Sequence, residues 1–246
     1  MNEFLKATLK ANQEIATALS GCHDDEWYEK KEIGFGGDIS SGLDLFAENI
    51  FFNHLHSFGS IESEESGVMN DGEATIIIDP IDGSDNALSG MPYFGTSVAR
   101  LGIDGVLKDA MVCNLCSNEY FFTSVGSQPK YGKLFDDRVE HLEVLSRSKV
   151  GIFERAYAYP QIVKALNINS VKFRSPGAVA LSLAYAHWVD FVLFAGAIRI
   201  YDVVAGLALC EGLEVIIKDD YVIVSKEKDI AAKIEQIMSD IQTKEK

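Results

Sequence analysis

Two aspartates three residues apart, Asp79 and Asp82, close the apolar run Ile76-Ile77-Ile78. The window continues as Pro80-Ile81-Asp82-Gly83-Ser84-Asp85-Asn86. Pro80 and Gly83 favour a tight turn that aims both carboxylates at one spot, and Gly83 lets backbone approach a ligand closely. A helix starting near Ser84 would set free N–H groups beside those acids, a seat for a phosphate. Carboxylates repel a phosphate unless divalent cations sit between them, and hard oxygen ligands suit magnesium. The plain alternative is a capping turn with surface acids.

Three further windows carry acids. Ile61-Glu62-Ser63-Glu64-Glu65-Ser66-Gly67 reads, on its own, as a solvated turn. Tyr201-Asp202-Val203-Val204-Ala205-Gly206 puts an acid at the head of an apolar helix, where an N-cap is the simple reading. Gly36-Gly37-Asp38-Ile39-Ser40-Ser41-Gly42-Leu43-Asp44 again leads an acid into a helix start. Cys113 and Cys116 form a CxxC, but no second CxxC and no HxxxH complete a zinc site, and Cys22 and Cys210 stand alone. Buried or strand-end thiols are expected.

The elements that must position these residues are legible in outline. Phe4, Leu5, Leu9, Ile15, Ala16 and Leu19 give residues 2–20 a helical period that Gly21 ends. The mixed charge run at 24–32 reads as a solvated loop. Leu43–Leu55 is helical, and Ala74–Asp79 is a buried strand. Strands are expected at 95–101, 106–113 and 119–123, with a hairpin turn at Gly102-Ile103-Asp104-Gly105. Gly126–Gly132 reads as a loop dividing two halves. Beyond it come a strand at 142–145, a helix near 162–166, a strand at 171–173 and a helix from Gly177 to about Ala186. A strand at 189–194, a helix opened by Asp202, short strands and a polar helix from Glu227 complete the chain. Blocks of alternating helix and strand indicate layered α/β sheets.

Composition sets the limits. A chain of 246 residues that is 47% hydrophobic and 24% charged is ordinary globular protein. Against 37 Asp and Glu stand 22 Lys and Arg, a net charge of −15. That balance disfavours nucleic acid and anionic membrane as partners and suits metal cations. The start, Met1-Asn2-Glu3-Phe4-Leu5-Lys6, lacks a signal-peptide pattern, and apolar stretches such as Phe191–Ile198 are far too short to span a bilayer. A soluble, cytoplasmic protein is expected.

Together the four acidic windows resemble the inositol monophosphatase and fructose-1,6-bisphosphatase superfamily, over nearly the whole chain. The Asp-Pro-Ile-Asp-Gly-Ser signature at 79–84 is highly specific to it. The Gly-rich lead into Asp38, the Ala47-Glu48 pair and Ser63-Glu64-Glu65-Ser66-Gly67 look most like the archaeal-type branch with dual fructose-bisphosphatase and inositol-monophosphatase activity. The resemblance implies an αβαβα sandwich of the sugar phosphatase type, α/β (α+β) in class. It would form one domain over 1–246, with a metal-binding half at about 1–130 and a substrate-lining half at 131–246.

The resemblance also implies roles. Glu64, Asp79 and the Ile81 carbonyl would hold one metal, and Asp79, Asp82 and Asp202 a second, with two or three Mg2+ ions per site. Glu65 matches a neighbouring family glutamate near the site. Ser84 matches the family threonine and Asp44 its partner, which together orient and deprotonate the attacking water. Gly83 and Ser84 N–H groups would grip the phosphate, alongside Asp82. Arg174, Gly177 and Ala178 match the segment lining the sugar pocket, and Arg199 would reach a second phosphate or a sugar hydroxyl.

The implied reaction is lithium-sensitive hydrolysis of a phosphorylated sugar or polyol, fructose-1,6-bisphosphate or an inositol monophosphate, by a homodimer. A 3′(2′),5′-bisphosphate nucleotidase and a non-catalytic regulatory relative are the alternatives. The inositol-binding carboxylate of animal relatives falls here on Phe194 or Ala195, which puts strict inositol preference in doubt.

Overall fold

Apolar spacing at the start of the chain builds α1 (Glu3–Gly21), which buries Phe4, Leu5, Ile15 and Ala16 along one face. Asn2 caps it, its side-chain oxygen accepting the Leu5 N–H at 2.9 Å. The computed structural model describes residues 1–21, 25–37 and 39–244; Cys22 and Asp38, singled out above, lie outside them. The charge run at 24–32 is not loop throughout. Its end, β1 (Lys30–Ile33), pairs antiparallel with β2 (Ile39–Ser41), a partner that the run's own composition does not reveal. Next comes α2 (Gly42–Leu55), opened by a capping box in which Ser41 and Asp44 each satisfy the other's backbone N–H.

An eight-stranded sheet follows. Its strands are β3 (Ser60–Ser63), β4 (Gly67–Val68), β5 (Thr75–Asp82), β6 (Gly95–Leu101), β7 (Leu107–Asn114), β8 (Glu119–Ser124), β9 (Lys130–Lys133) and β10 (Val139–His141). The spatial order is β10-β9-β8-β7-β6-β5-β3-β4, with the short helix α3 (Ser84–Leu88) after β5. The division expected at about 130 therefore moves past His141, because β9 and β10 hydrogen-bond into the first sheet. The strand expected at 142–145 forms instead at 139–141, paired with β9.

The second sheet has the order β12-β11-β13-β15-β14. Here β11 is Gly151–Glu154, β12 Phe173–Arg174, β13 Phe191–Ala195, β14 Glu214–Ile217 and β15 Tyr221–Ser225. The intervening helices are α4 (Pro160–Ile168), α5 (Val179–Ala184), α6 (Ile200–Ala208) and the closing α7 (Lys228–Lys244).

Side-chain alternation along the strands explains the layering. In the first sheet Val98, Met111, Cys113, Tyr120 and Phe122 pack with α1 and α2 residues such as Leu5, Ile15 and Phe51. The opposite face, with Ala99, Ala110, Val112 and Phe121, meets Leu181, Ala184 and Ala205 of α5 and α6. Those two helices also cover Ile152, Val192, Phe194 and Val224 of the second sheet. Its far face, with Phe153, Leu193 and Ile223, packs on Ile162, Leu166, Ile234 and Met238 of α4 and α7. The result is the expected αβαβα sandwich.

Candidate active site

Strand register places the first two acids. β3 and β5 run parallel, with Ser63 opposite Ile78, and the Glu64 N–H donates to the Ile78 carbonyl at 3.0 Å. Glu64 and Asp79 thus leave adjacent strand ends side by side, at the carboxyl edge where open α/β sheets place ligands. β5 does not stop at Asp79 as the sequence suggests. It runs on to Asp82 through a bulge, since Asp79 opposes Ser97 and Asp82 opposes Gly95. Pro80, which has no N–H to give a ladder, sits within that irregularity.

Asp202 comes from the first turn of α6, which packs against β5, β6 and β7. Carboxylate oxygens of Glu64, Asp79 and Asp202 all lie within 4.8 Å of one another. Burial, then Glu64, Asp82 and Asp202 nearby, push the Asp79 carboxyl well above the usual range. Three buried oxygen donors so close are a chemically apt seat for a hard divalent cation. They line a cleft of about 680 Å³ whose wall carries seven carboxylates, Asp44, Glu64, Glu65, Asp79, Asp82, Asp85 and Asp202, against two arginines. A slightly larger cleft, about 780 Å³, lies between residues 56–59, 71–74 and 100–108. Its Arg100 and Lys108 are paired with Asp109 and Asp104, and among the described residues the acids on its wall, Asp71, Glu73 and Asp104, form no convergent metal-sized group.

Asp82 stands apart from the three-acid group. Its carboxylate accepts the N–H groups of Val179 at 2.8 Å and Leu181 at 2.7 Å, so it ties the first sheet to α5. Burial pushes its carboxyl up as well, opposed by those two amides. Gly83, at φ 91°, makes the turn into α3, and a Cβ there would come 3.0 Å from the Ala178 methyl and 3.1 Å from the Gly177 carbonyl. The Ile81 carbonyl lies 2.9 Å from the Ser84 hydroxyl.

That hydroxyl also reaches Asp44 Oδ1 at 2.7 Å, so the pair expected from the sequence is in contact. Asp44 is 1% exposed, and its other oxygen accepts the Ser41 N–H at 2.6 Å. Burial raises its pKa while the hydrogen bonds from Ser41 and Ser84 pull it down. Glu65 accepts the Ser40 hydroxyl. Buried Glu48 fixes the turn that presents both glutamates by accepting the Ser66 N–H at 3.1 Å and its hydroxyl at 2.7 Å.

The arginines fall differently from expectation. Arg174 is exposed on the edge strand β12, its guanidinium on the Phe173 carbonyl, and it does not line the cleft. Arg199 lines the cleft but is bound to Asp202 and Glu64. Two residues were not foreseen. Arg155, with its backbone left-handed at φ 60°, lines the cleft beside Tyr157. Glu154, 0% exposed, accepts the N–H groups of Gly177 at 2.9 Å and Ala178 at 3.4 Å and the Ser182 hydroxyl at 2.5 Å. The signal for Glu154 was an acid ending an apolar strand; Arg155 had none.

Comparison with known proteins agrees with the fold. Residues 3–217 match the inositol monophosphatase family. A Xylella fastidiosa protein named Nus factor SuhB is 30% identical over 186 residues, which span 70% of this chain and 66% of that protein. The fructose-1,6-bisphosphatase of Pyrococcus furiosus is 29% identical over 199 residues, spanning 76% and 73%. The crystal structure of extragenic suppressor protein SuhB from Bartonella henselae superposes with a TM-score of 0.78 at 24% identity, over 96% of this chain and 97% of that one. Fold, acid cluster and likeness together define a phosphatase hydrolase. The chain belongs to the inositol monophosphatase family.

Proposed function

We propose that the protein hydrolyses a phosphate monoester of a small sugar or polyol, with fructose-1,6-bisphosphate and inositol monophosphates the leading candidates. One observation carries this reading: Glu64, Asp79 and Asp202 converge in the cleft that also holds the Ser84–Asp44 pair. Glu64, Asp79 and Asp202 would hold Mg2+, joined by Asp82 and the Ile81 carbonyl once their present partners yield. Bound Mg2+ supplies charge neutralisation at the phosphoryl oxygens and a lowered pKa for water. Asp44, made more basic by burial, draws a proton through the Ser84 hydroxyl and orients the attacking water. Arg155 supports the bisphosphate among these candidates, because it is the cleft arginine not bound to the acid cluster.

A nucleoside phosphate is the second reading. Tyr157, 84% exposed on the cleft wall, offers a ring face on which a base can stack.

The test is phosphate release with Mg2+, with and without Li+, from fructose-1,6-bisphosphate, inositol-1-phosphate and 3′-phosphoadenosine-5′-phosphate. Turnover of a sugar or polyol ester that Asp79→Asn abolishes is expected. Preference for the nucleotide selects the second reading, and no turnover of any of the three sinks both.

A further inference from the structure

Arg199 immediately precedes α6 and keeps an extended backbone, φ −99° and ψ 144°. Its guanidinium grips both oxygens of Asp202, Nε to Oδ2 at 2.9 Å and Nη2 to Oδ1 at 2.9 Å. On its other side Nη1 lies 2.8 Å from Glu64 Oε1 and donates to the Gly36 carbonyl at 3.2 Å. One planar cation therefore bridges two of the three clustered carboxylates, using the fork geometry that lysine lacks. It holds both oxygens of Asp202 and one of Glu64, two of the three carboxylates whose oxygens converge within 4.8 Å.

The Gly36 contact extends this arrangement to the β1–β2 connection. Gly36 N–H donates to the Glu64 carbonyl at 2.6 Å, and Phe35 N–H to the Glu65 carbonyl at 2.8 Å. A Cβ at Gly36 would meet Glu64 Cγ at 2.5 Å, so only glycine lets the turn lie this close to the acids. Arg199 adds the tie that joins the turn, Glu64 and Asp202 in one place.

We propose that Arg199 is the resident counter-cation of this cluster, one that Mg2+ must displace, so that Arg199 sets the metal affinity of the site. The inference rests on the metal-binding reading above. It makes Arg199 a competitor for the acids, where a residue that only binds substrate would leave metal affinity alone. Bidentate, charge-assisted hydrogen bonds that must break before an ion enters lower its apparent affinity by their own worth.

Calorimetric titration of Mg2+ into the full chain, stripped with EDTA, tests it without any turnover. Arg199→Ala is expected to bind Mg2+ at least about tenfold more tightly than the unmodified protein. Its metal-free form should melt several degrees lower, having lost the bridge. Arg199→Gln keeps most of the volume and carries the same expectation if alanine does not fold. Arg155→Ala serves as control, since it removes one positive charge from the same cleft without touching the acids, and should leave affinity within about twofold.

Equal or weaker Mg2+ binding by both Arg199 variants overturns the proposal, as does an equal gain in Arg155→Ala, which would assign the effect to the general field. Binding by the Arg199 variants alone supports it. Binding by none of the proteins overturns the metal reading of the site, and this inference with it.

Discussion

Asp44 faces Ser84 with one carboxylate oxygen, 2.7 Å from the hydroxyl, and the Ser41 backbone N–H with the other, at 2.6 Å. The same side chain thus closes the capping box of α2 and holds the hydroxyl in the cleft. Asp44→Asn is therefore expected to cost activity by about 10²–10⁴-fold, the usual worth of a positioned proton acceptor. The asparagine keeps an oxygen that accepts the Ser41 N–H, so stability should change by no more than about 1 kcal/mol. Ser84→Ala should match the activity loss and leave the cap intact, whereas Ser84→Thr, which keeps the hydroxyl, should remain within several-fold. Steady-state rates and melting curves on the three variants check this; equal activity of Ser84→Ala and Ser84→Thr would remove the hydroxyl from the reaction.

The buried acids give a stability signature with a definite sign. Burial, then neighbouring acids, raise Asp79 well above its ordinary carboxylate value. In the pH window between the unfolded value, about 3.9, and that raised value, the native state keeps a proton that the unfolded chain has lost. Its contribution to stability is present below the window and is lost as pH rises through it. In metal-free protein, Asp79→Asn should then stabilise by about 1 kcal/mol or more at pH 7.5, a gain that fades toward pH 5. Added Mg2+ should reverse the comparison at pH 7.5, where only the carboxylate profits from the ion. Melting temperatures with EDTA and with Mg2+ across pH 5–8 decide it, and a gain that grows on acidification contradicts the assignment.

What the sequence showed and what it hid follow from how far each relationship reaches along the chain. Asp79, Asp82 and Ser84 lie within one strand-turn-helix, so residue types and spacing singled out the acids, but the pairing of Ser84 with Asp44 came from the family resemblance and the tie of Asp82 to α5 was hidden. Glu64 and Asp202 were picked out by their windows, but their meeting depends on the parallel pairing of β3 with β5 and on the packing of α6. Layered α/β sheets were expected from alternating blocks and the five layers from the family resemblance, yet the boundary between the halves was placed too early because Gly126–Gly132 reads as a loop while Lys130–Lys133 pairs with β8. Arg174 sits in a family-like segment, but β12 is a two-residue edge strand that leaves it in solvent. Arg155 depends on a left-handed turn with no glycine or asparagine to announce it. No element was expected at 151–154, and Glu154 takes its place only when residues more than twenty positions away fold over the end of β11.

Glu154 reaches the site through others. Its oxygens hold Gly177 and Ala178, and through Ser182 they connect to the Tyr93 hydroxyl at 3.0 Å. Burial raises its pKa, and the hydrogen bonds it accepts oppose that rise. Glu154→Ala leaves the Gly177 N–H and the buried Ala178 N–H and Ser182 hydroxyl without their acceptor, at a cost of about 1–3 kcal/mol for each group left buried and unsatisfied. Glu154→Gln retains one acceptor oxygen and is expected to fold. Because Gly177 borders the cleft opposite Gly83, the glutamine variant should raise KM several-fold with kcat changed less. A fall in kcat alone would place Glu154 closer to the proton transfer than this geometry does.

Arg155 is the residue through which substrate choice can be read. Its left-handed backbone sets the guanidinium over Gly196, where a Cβ would lie 2.8 Å from Nη1 and 2.8 Å from the Tyr159 hydroxyl. Gly196→Ala would therefore push the arginine aside, in a backbone conformation, φ 125°, that alanine itself adopts poorly. A guanidinium on the wall of an acid-lined cleft favours a substrate with a second anionic group. Arg155→Ala should then raise KM for fructose-1,6-bisphosphate by about tenfold or more, as expected for one charge-assisted contact. KM for inositol-1-phosphate, which has no second phosphate, should stay within about twofold, and kcat for both should hold because the substitution leaves the Ser84–Asp44 hydrogen bond in place. Gly196→Ala should reproduce the same selective loss more weakly. An equal change in KM for both substrates would show that Arg155 shapes the cleft rather than reading the second phosphate.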